Sequence, residues 1–207
     1  MKKTDSKMKH NDQEEVKLTW QQKMVLDLHD LIYVLAGFML IYILIFRVVV
    51  VVGPSMKDTL VDGDRLVLLS NTLYRNPEYG DVIVASKESF GNGECIIKRV
   101  IATEGQNVDI DFGRGVVIVD GVELQEDYVR TPTTLQEGVT FPTVVPEGCV
   151  FVLGDNRNGS KDSRDPQIGF VDKREILGKA VFLMLPGTDG GLVEPDYGRV
   201  GFEVFGG

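Results

Sequence analysis

The chain has 207 residues, 26% charged and 43% hydrophobic, the balance of one folded domain with or without an attachment and not of a disordered chain. A net charge of −9 leaves no basic footprint for phosphates and excludes a general nucleic-acid binder. Two cysteines exclude a disulfide-rich scaffold and no Cys/His spacing suits zinc. The only histidines, His10 and His29, lie in the first 30 residues, which argues against a Ser-His-Asp or Cys-His enzyme.

Residues 1–30 form a polar tail with six lysines, six acidic residues and the lone Trp20, so its net charge is zero. It reads as a soluble leader, with a short amphipathic helix over 16–28 as an option. Residues 31–46, LIYVLAGFMLIYILIF, carry no charge at all. Continued as a helix through Val52, this stretch has 22 residues and a length of roughly 33 Å, enough for the roughly 30 Å hydrocarbon core. Arg47 then reaches the lipid–water interface. In the other reading the helix stops near Arg47 and the valine run 48–52 is already a strand, as five consecutive β-branched residues favour. The run starts too late, and lacks the small-residue cleavage site, for a removable leader. The expectation is an uncleaved single-pass anchor over 31–52. Six lysines before it and one arginine just after it place the N-terminus in the cytoplasm.

Residues 53–207 carry 15 basic and 25 acidic side chains. Short apolar or alternating runs recur at 65–69, 81–85, 95–101, 116–124, 149–153 and 179–185, punctuated by Gly, Pro, Asn and Asp. Asp120-Gly121 marks a hairpin turn. The expected fold is mainly β: an all-β catalytic domain over 53–207 preceded by one transmembrane helix.

Without a histidine in this region, a serine nucleophile needs another base. A lysine serves if burial lowers its pKa from near 10.4. GPSMKDTL (53–60) offers Ser55 in a turn framed by Gly and Pro. IIKRVI (96–101) offers Lys98, with Ile96, Lys98 and Val100 on one face of a strand and Ile97, Arg99 and Ile101 on the other. By themselves these read first as a surface-turn serine and an edge-strand gatekeeper lysine, with a nucleophile and a desolvated base as the rarer alternatives. GDNRNGSKDSRD (154–165) is a polar loop after an apolar strand. Its spacing fails as a calcium loop, and Asn158-Gly159-Ser160 also fits an N-glycosylation sequon.

Taken in order, the anchor, GPSMKDTL, GDVIVA (80–85), the Lys98 strand and GDNRNGSKDSRDPQIGFV (154–171) resemble the type I signal peptidases, membrane-anchored Ser-Lys proteases. The resemblance implies Ser55 as nucleophile, Lys98 as general base and Ser160 as the hydroxyl that orients the lysine. Asp155, Arg99, Asp162 and Arg164 match the charged positions that support the site. Met56, Leu60 and Ile97 are candidates for small apolar substrate pockets. The implied substrates are signal-peptide-bearing preproteins cut after an A-x-A pattern, at a lipid bilayer, with no cofactor or metal. Three positions depart from the family pattern: Asp58 replaces a usual proline, Gly159 replaces a usual asparagine, and Gly53 replaces a serine that some members use as a second oxyanion donor. Cys95 and Cys149 either pair in an exported compartment or remain free thiols. Two rival functions are a self-cleaving repressor protease, whose Ala-Gly bond is here only Ala36-Gly37 inside the apolar run, and a catalytically dead anchored scaffold.

Overall fold

The computed structural model describes residues 19–57, 59–91, 93–202 and 205. The tail before Thr19, and with it part of the proposed 16–28 helix, lies outside the described residues. The chain divides into two compact units, residues up to 41 and residues 42–207.

Helix α1 (Trp20–Ile45) has 26 residues, about 39 Å of rise, and no buried side chain. It starts eleven residues before the apolar run because Thr19 and Gln22 form a capping box. The Thr19 N–H donates to Gln22 Oε1 at 2.9 Å, and the Gln22 N–H reaches Thr19 Oγ1 at 3.4 Å. It stops at Ile45, and the following residues form strand β1 (Phe46–Val50). The helical part of 31–52 therefore ends seven residues earlier than the longer reading has it. The β-branched valines find strand partners, from Phe46 opposite Leu69 to Val50 opposite Arg65.

The strands after β1 are β2 (Arg65–Ser70), β3 (Val82–Ser86), β4 (Cys95–Thr103), β5 (Asn107–Asp111), β6 (Val116–Val119), β7 (Val122–Glu123), β8 (Thr143–Val144), β9 (Cys149–Leu153), β10 (Val171–Asp172) and β11 (Ile176–Leu185). Seven form one antiparallel sheet in the order β1-β2-β11-β3-β4-β9-β10, and four form a second, β7-β6-β5-β8. The domain is mainly β, as its patterning predicts. Asp120 and Gly121 both have positive φ, 51° and 82°, and close the β6–β7 hairpin.

Strand β3 explains why its sequence is continuously apolar. Val82 and Val84 join one core cluster with Val51, Met56, Leu60 and Leu66, whereas Ile83 and Ala85 join another with Ile96 and Val100. A strand covered on both faces has no polar side to show. Strand β4 lies beside it, with Ile83 opposite Lys98 and Val82 opposite Arg99. On its other side β4 pairs with β9 only from Arg99 onward, where Arg99 faces Leu153. Residues 95–98 are thus paired with β3 along one edge and, among the described residues, have no strand on the other.

Candidate active site

That open edge forms one wall of a cleft of about 300 Å³. The opposite wall is the segment leading out of β1. Its shape is set by backbone bonds: the Val51 N–H donates to Asp64 O at 2.8 Å and the Gly63 N–H to Val51 O at 2.9 Å. Gly53 turns the chain with φ 86°, a conformation costly for any residue with a Cβ. Its N–H donates to Asp62 Oδ1 at 2.8 Å, so that donor is committed to the turn and is not free to serve as a second oxyanion contact. The turn closes with the Lys57 N–H on Pro54 O at 2.9 Å and presents Ser55 between them. The Ser55 N–H has no acceptor among the described residues. Asp58 lies outside the described residues.

Lys98 crosses the cleft floor and its Nζ donates to Ser55 Oγ at 2.8 Å and to Ile97 O at 3.0 Å. The lysine is buried, and Val51, Met56, Ile96 and Ile97 stand with it in the lining. No carboxylate forms an ion pair with it among the described residues. Desolvation therefore dominates and pushes its pKa down to about 8, while the more distant charges of Asp162, Asp155 and Glu137 pull it back up. The next residue on the same strand has the opposite environment. Arg99 Nε and Nη2 donate to the two oxygens of Asp155 at 3.0 and 2.8 Å, and its guanidinium lies 4.0 Å from the Tyr128 ring centre.

The loop after β9 closes the site from above. The Asn156 N–H donates to Ser55 O at 3.1 Å, and Asn156 Nδ2 donates to Pro54 O at 3.0 Å. Two glycines make this approach possible. A Cβ at Gly154 would lie 2.2 Å from Ser160 Oγ and 2.5 Å from Ser55 O, and one at Gly159 would lie 2.5 Å from Asn156 Nδ2. Gly159 leaves the space that the Asn156 amide fills. Asp162 accepts from the Gly154 N–H at 3.0 Å and holds Arg164 through Nε and Nη2, each at 2.8 Å.

The structure thus gathers Ser55, Lys98, Ser160, Asp155, Arg99, Asp162 and Arg164 in one region. Two expectations change in detail. Ser160 is buried next to Gly154, and its hydroxyl donates to Lys161 O at 3.4 Å, while the bonded partners of Lys98 Nζ among the described residues are Ser55 Oγ and Ile97 O. Met56 and Ile97 line the cleft, whereas Leu60 turns into the core beneath it, because the Leu60 N–H bonds back to Met56 O at 2.8 Å. Cys95 and Cys149 are free thiols, the first exposed at the start of β4 and the second half-buried on β9. Among the described residues no cluster suits a metal ion.

Sequence reading passes over the strap 126–139, which has no catalytic motif. Glu126 grips buried Arg157 through two bonds of 2.6 Å, and Thr133 Oγ1 accepts from the same guanidinium at 3.0 Å. Asn158 Oδ1 accepts from the N–H groups of Thr134 and Leu135 at 3.1 and 3.2 Å, and its Nδ2 donates to Pro132 O. That amide, the acceptor of the sequon, is occupied with holding the strap. Glu137 belongs to the same strap and has one carboxyl oxygen buried without a hydrogen-bond partner. Burial and the neighbouring Asp162 raise its pKa. The only signal for these residues in the sequence is the density of polar side chains in 154–165, which says that partners are needed without naming them.

A serine hydroxyl in contact with a buried lysine that has no carboxylate partner among the described residues is an arrangement that a serine hydrolase can use in place of histidine. The sequence model described as signal peptidase, peptidase S26, matches residues 25–185. A probable signal peptidase I-1 of Synechocystis sp. is 39% identical over 66% of this chain and 69% of its own length. A signal peptidase I of Leptolyngbya laminosa is 37% identical over 65% of this chain and 66% of its own. A crystal structure of a signal peptidase I from Enterococcus faecalis has 30% sequence identity and a TM-score of 0.41, covering 50% of this chain and 96% of that one. The chain belongs to the signal peptidase S26 family.

Proposed function

We propose that this protein is a signal peptidase I: a membrane-anchored serine endopeptidase that removes signal peptides from exported preproteins, cutting after small residues in an A-x-A pattern. Membership of the S26 family supports the activity. The observation that carries the assignment of residues is the 2.8 Å contact between Lys98 Nζ and Ser55 Oγ, made by a lysine whose pKa is depressed to about 8.

In this reading neutral Lys98 takes the Ser55 proton as Oγ attacks the scissile carbonyl. The unused Ser55 N–H faces the oxygen on which charge develops. The amine of the mature chain leaves with the proton that Lys98 holds. Lys98 then deprotonates a water that attacks the ester carbonyl, and the signal peptide departs with a free carboxylate while Ser55 recovers its proton. Substrate enters as an extended segment along the free edge of 95–98, opposite 53–56, where backbone groups await a partner. Met56 and Ile97 line the path of its small side chains.

The apolar part of α1 anchors the protein in the membrane, with 1–30 in the cytoplasm and the domain from 53 onward on the far side. The cleft then meets the preprotein where its own apolar segment emerges. The test is cleavage of an A-x-A preprotein by the full-length protein in detergent. The wild type cuts it at that site. Ser55→Ala and Lys98→Ala lose at least about 10³-fold in kcat/KM while keeping the wild-type circular dichroism. Full activity in either variant would overturn the dyad, and an inert wild type would favour the anchored scaffold.

A further inference from the structure

Besides Ser55, the cleft lining carries three charged side chains among otherwise largely apolar residues. Lys98 belongs to the chemistry, and Lys161 faces Asp165 at 3.7 Å. The third is Glu94, an exposed carboxylate that forms no ion pair among the described residues. It lines both the cleft and the apolar groove of Val49, Val50, Val52 and Val84 that continues from it. Glu94 immediately precedes β4, four residues before Lys98, so at the rise of a strand it stands about 13 Å along the wall from the base. Ile97 and Cys95 line the wall between them.

We propose that Glu94 determines substrate preference by reading charge in the segment four to six residues before the cleavage site, favouring a basic side chain there and disfavouring an acidic one. The inference rests on the signal-peptidase reading. The geometry sets the register: a peptide extended along 95–98 advances at the same rise as β4, so the residue that comes level with Glu94 is about four positions from the bond held at Ser55. The direction follows from the lining, since the apolar positions that suit small residues at −1 and −3 lie on the Glu94 side of Ser55. The carboxylate is exposed, so its effect on a charge seated beside it is modest and sensitive to salt. The domain is acidic as a whole, yet within the cleft Glu94 is the acidic group.

The experiment uses full-length protein in detergent and a set of A-x-A peptides identical except for Lys, Gln or Glu placed at −4, −5 or −6. Wild type is expected to prefer Lys over Glu in kcat/KM by about three- to tenfold at one or more of these positions, the range for a few partly exposed charge interactions. Glu94→Gln flattens the series and Glu94→Lys inverts it, and 0.5 M salt compresses the wild-type ratio. The same Lys-to-Glu ratio in all three proteins at every position would overturn the inference and leave the peptidase reading intact. Failure of wild type to cut any peptide would instead overturn the peptidase reading, and this inference with it.

Discussion

Lys98 and Arg99 are consecutive, both cationic and both buried, yet they belong to regions built on opposite principles. Arg99 enters a floor of buried pairs, with Asp155 on Arg99, Asp162 on Arg164 and Glu126 on Arg157, in which every cation meets a carboxylate at both ends of its fork. Lys98 enters an apolar cleft whose only bonded partners for it are a serine hydroxyl and a carbonyl. One region satisfies its charges and gains a fixed shape. The other withholds a counter-ion and gains a lysine that gives up its proton easily. The first fixes the loop whose Asn156 holds the Ser55 and Pro54 carbonyls beside the second, so the paired and unpaired cations are two uses of the same burial.

Gly154 joins the two regions, and changing it should disturb both. Gly154→Ala drives a methyl into Ser160 and the Ser55 carbonyl. Activity should fall about 10²-fold in a steady-state cleavage assay, because the serine moves relative to its base. Within the floor, Glu126→Ala strands Arg157 without its carboxylate. Thermal or denaturant unfolding should show a loss of about 3–5 kcal/mol, much greater than for an exposed pair such as Arg174–Asp172.

The cleft should respond with the opposite sign. Burial lowers the Lys98 pKa from 10.5 to about 8, so below pH 8 the folded protein holds a buried ammonium at a cost. Between pH 8 and 10.5 the unfolded chain binds the extra proton, so the Lys98 contribution to stability improves as pH rises through that window. Lys98→Met should therefore abolish activity and yet stabilise the protein at pH 7, on the order of 2–4 kcal/mol by unfolding. No stabilisation would mean that the lysine is compensated after all. Glu137 makes the smallest change. Its negative charge holds the Lys98 pKa up, so Glu137→Gln should move the rise of kcat/KM with pH to lower pH, with little change in the plateau.

How much of this is legible in the sequence follows the same division. Strands with continuous or alternating apolar runs are visible, as in 82–86 and 95–103, whereas 107–111, whose short alternation is written with strand-poor Asn and Asp, and the two-residue strands 143–144 and 171–172 are not. The anchor's apolar stretch is plain, but only pairing with β2 decides that 46–50 is strand. Ser55 and Lys98 emerge from motif order, since neither has a local signature of its own. Glu126, Thr133 and Glu137 stay hidden because their roles depend on a strap that meets the loop far along the chain, 31 residues away for Glu126 and 24 for Thr133, contacts that no periodicity encodes. The occupied Gly53 N–H is likewise a matter of a turn closing on Asp62.

The central claim is that Lys98 is a desolvated amine poised to accept the proton of Ser55. It is tested most directly by titrating that amine itself: lysine labelled with 13C at Cε, followed by NMR against pH in the full-length protein in micelles, with the Lys98 signal assigned by its absence in Lys98→Met. The account predicts a midpoint near pH 8, coincident with the rise in kcat/KM. A midpoint near 10.5, that of a solvated lysine, would contradict it.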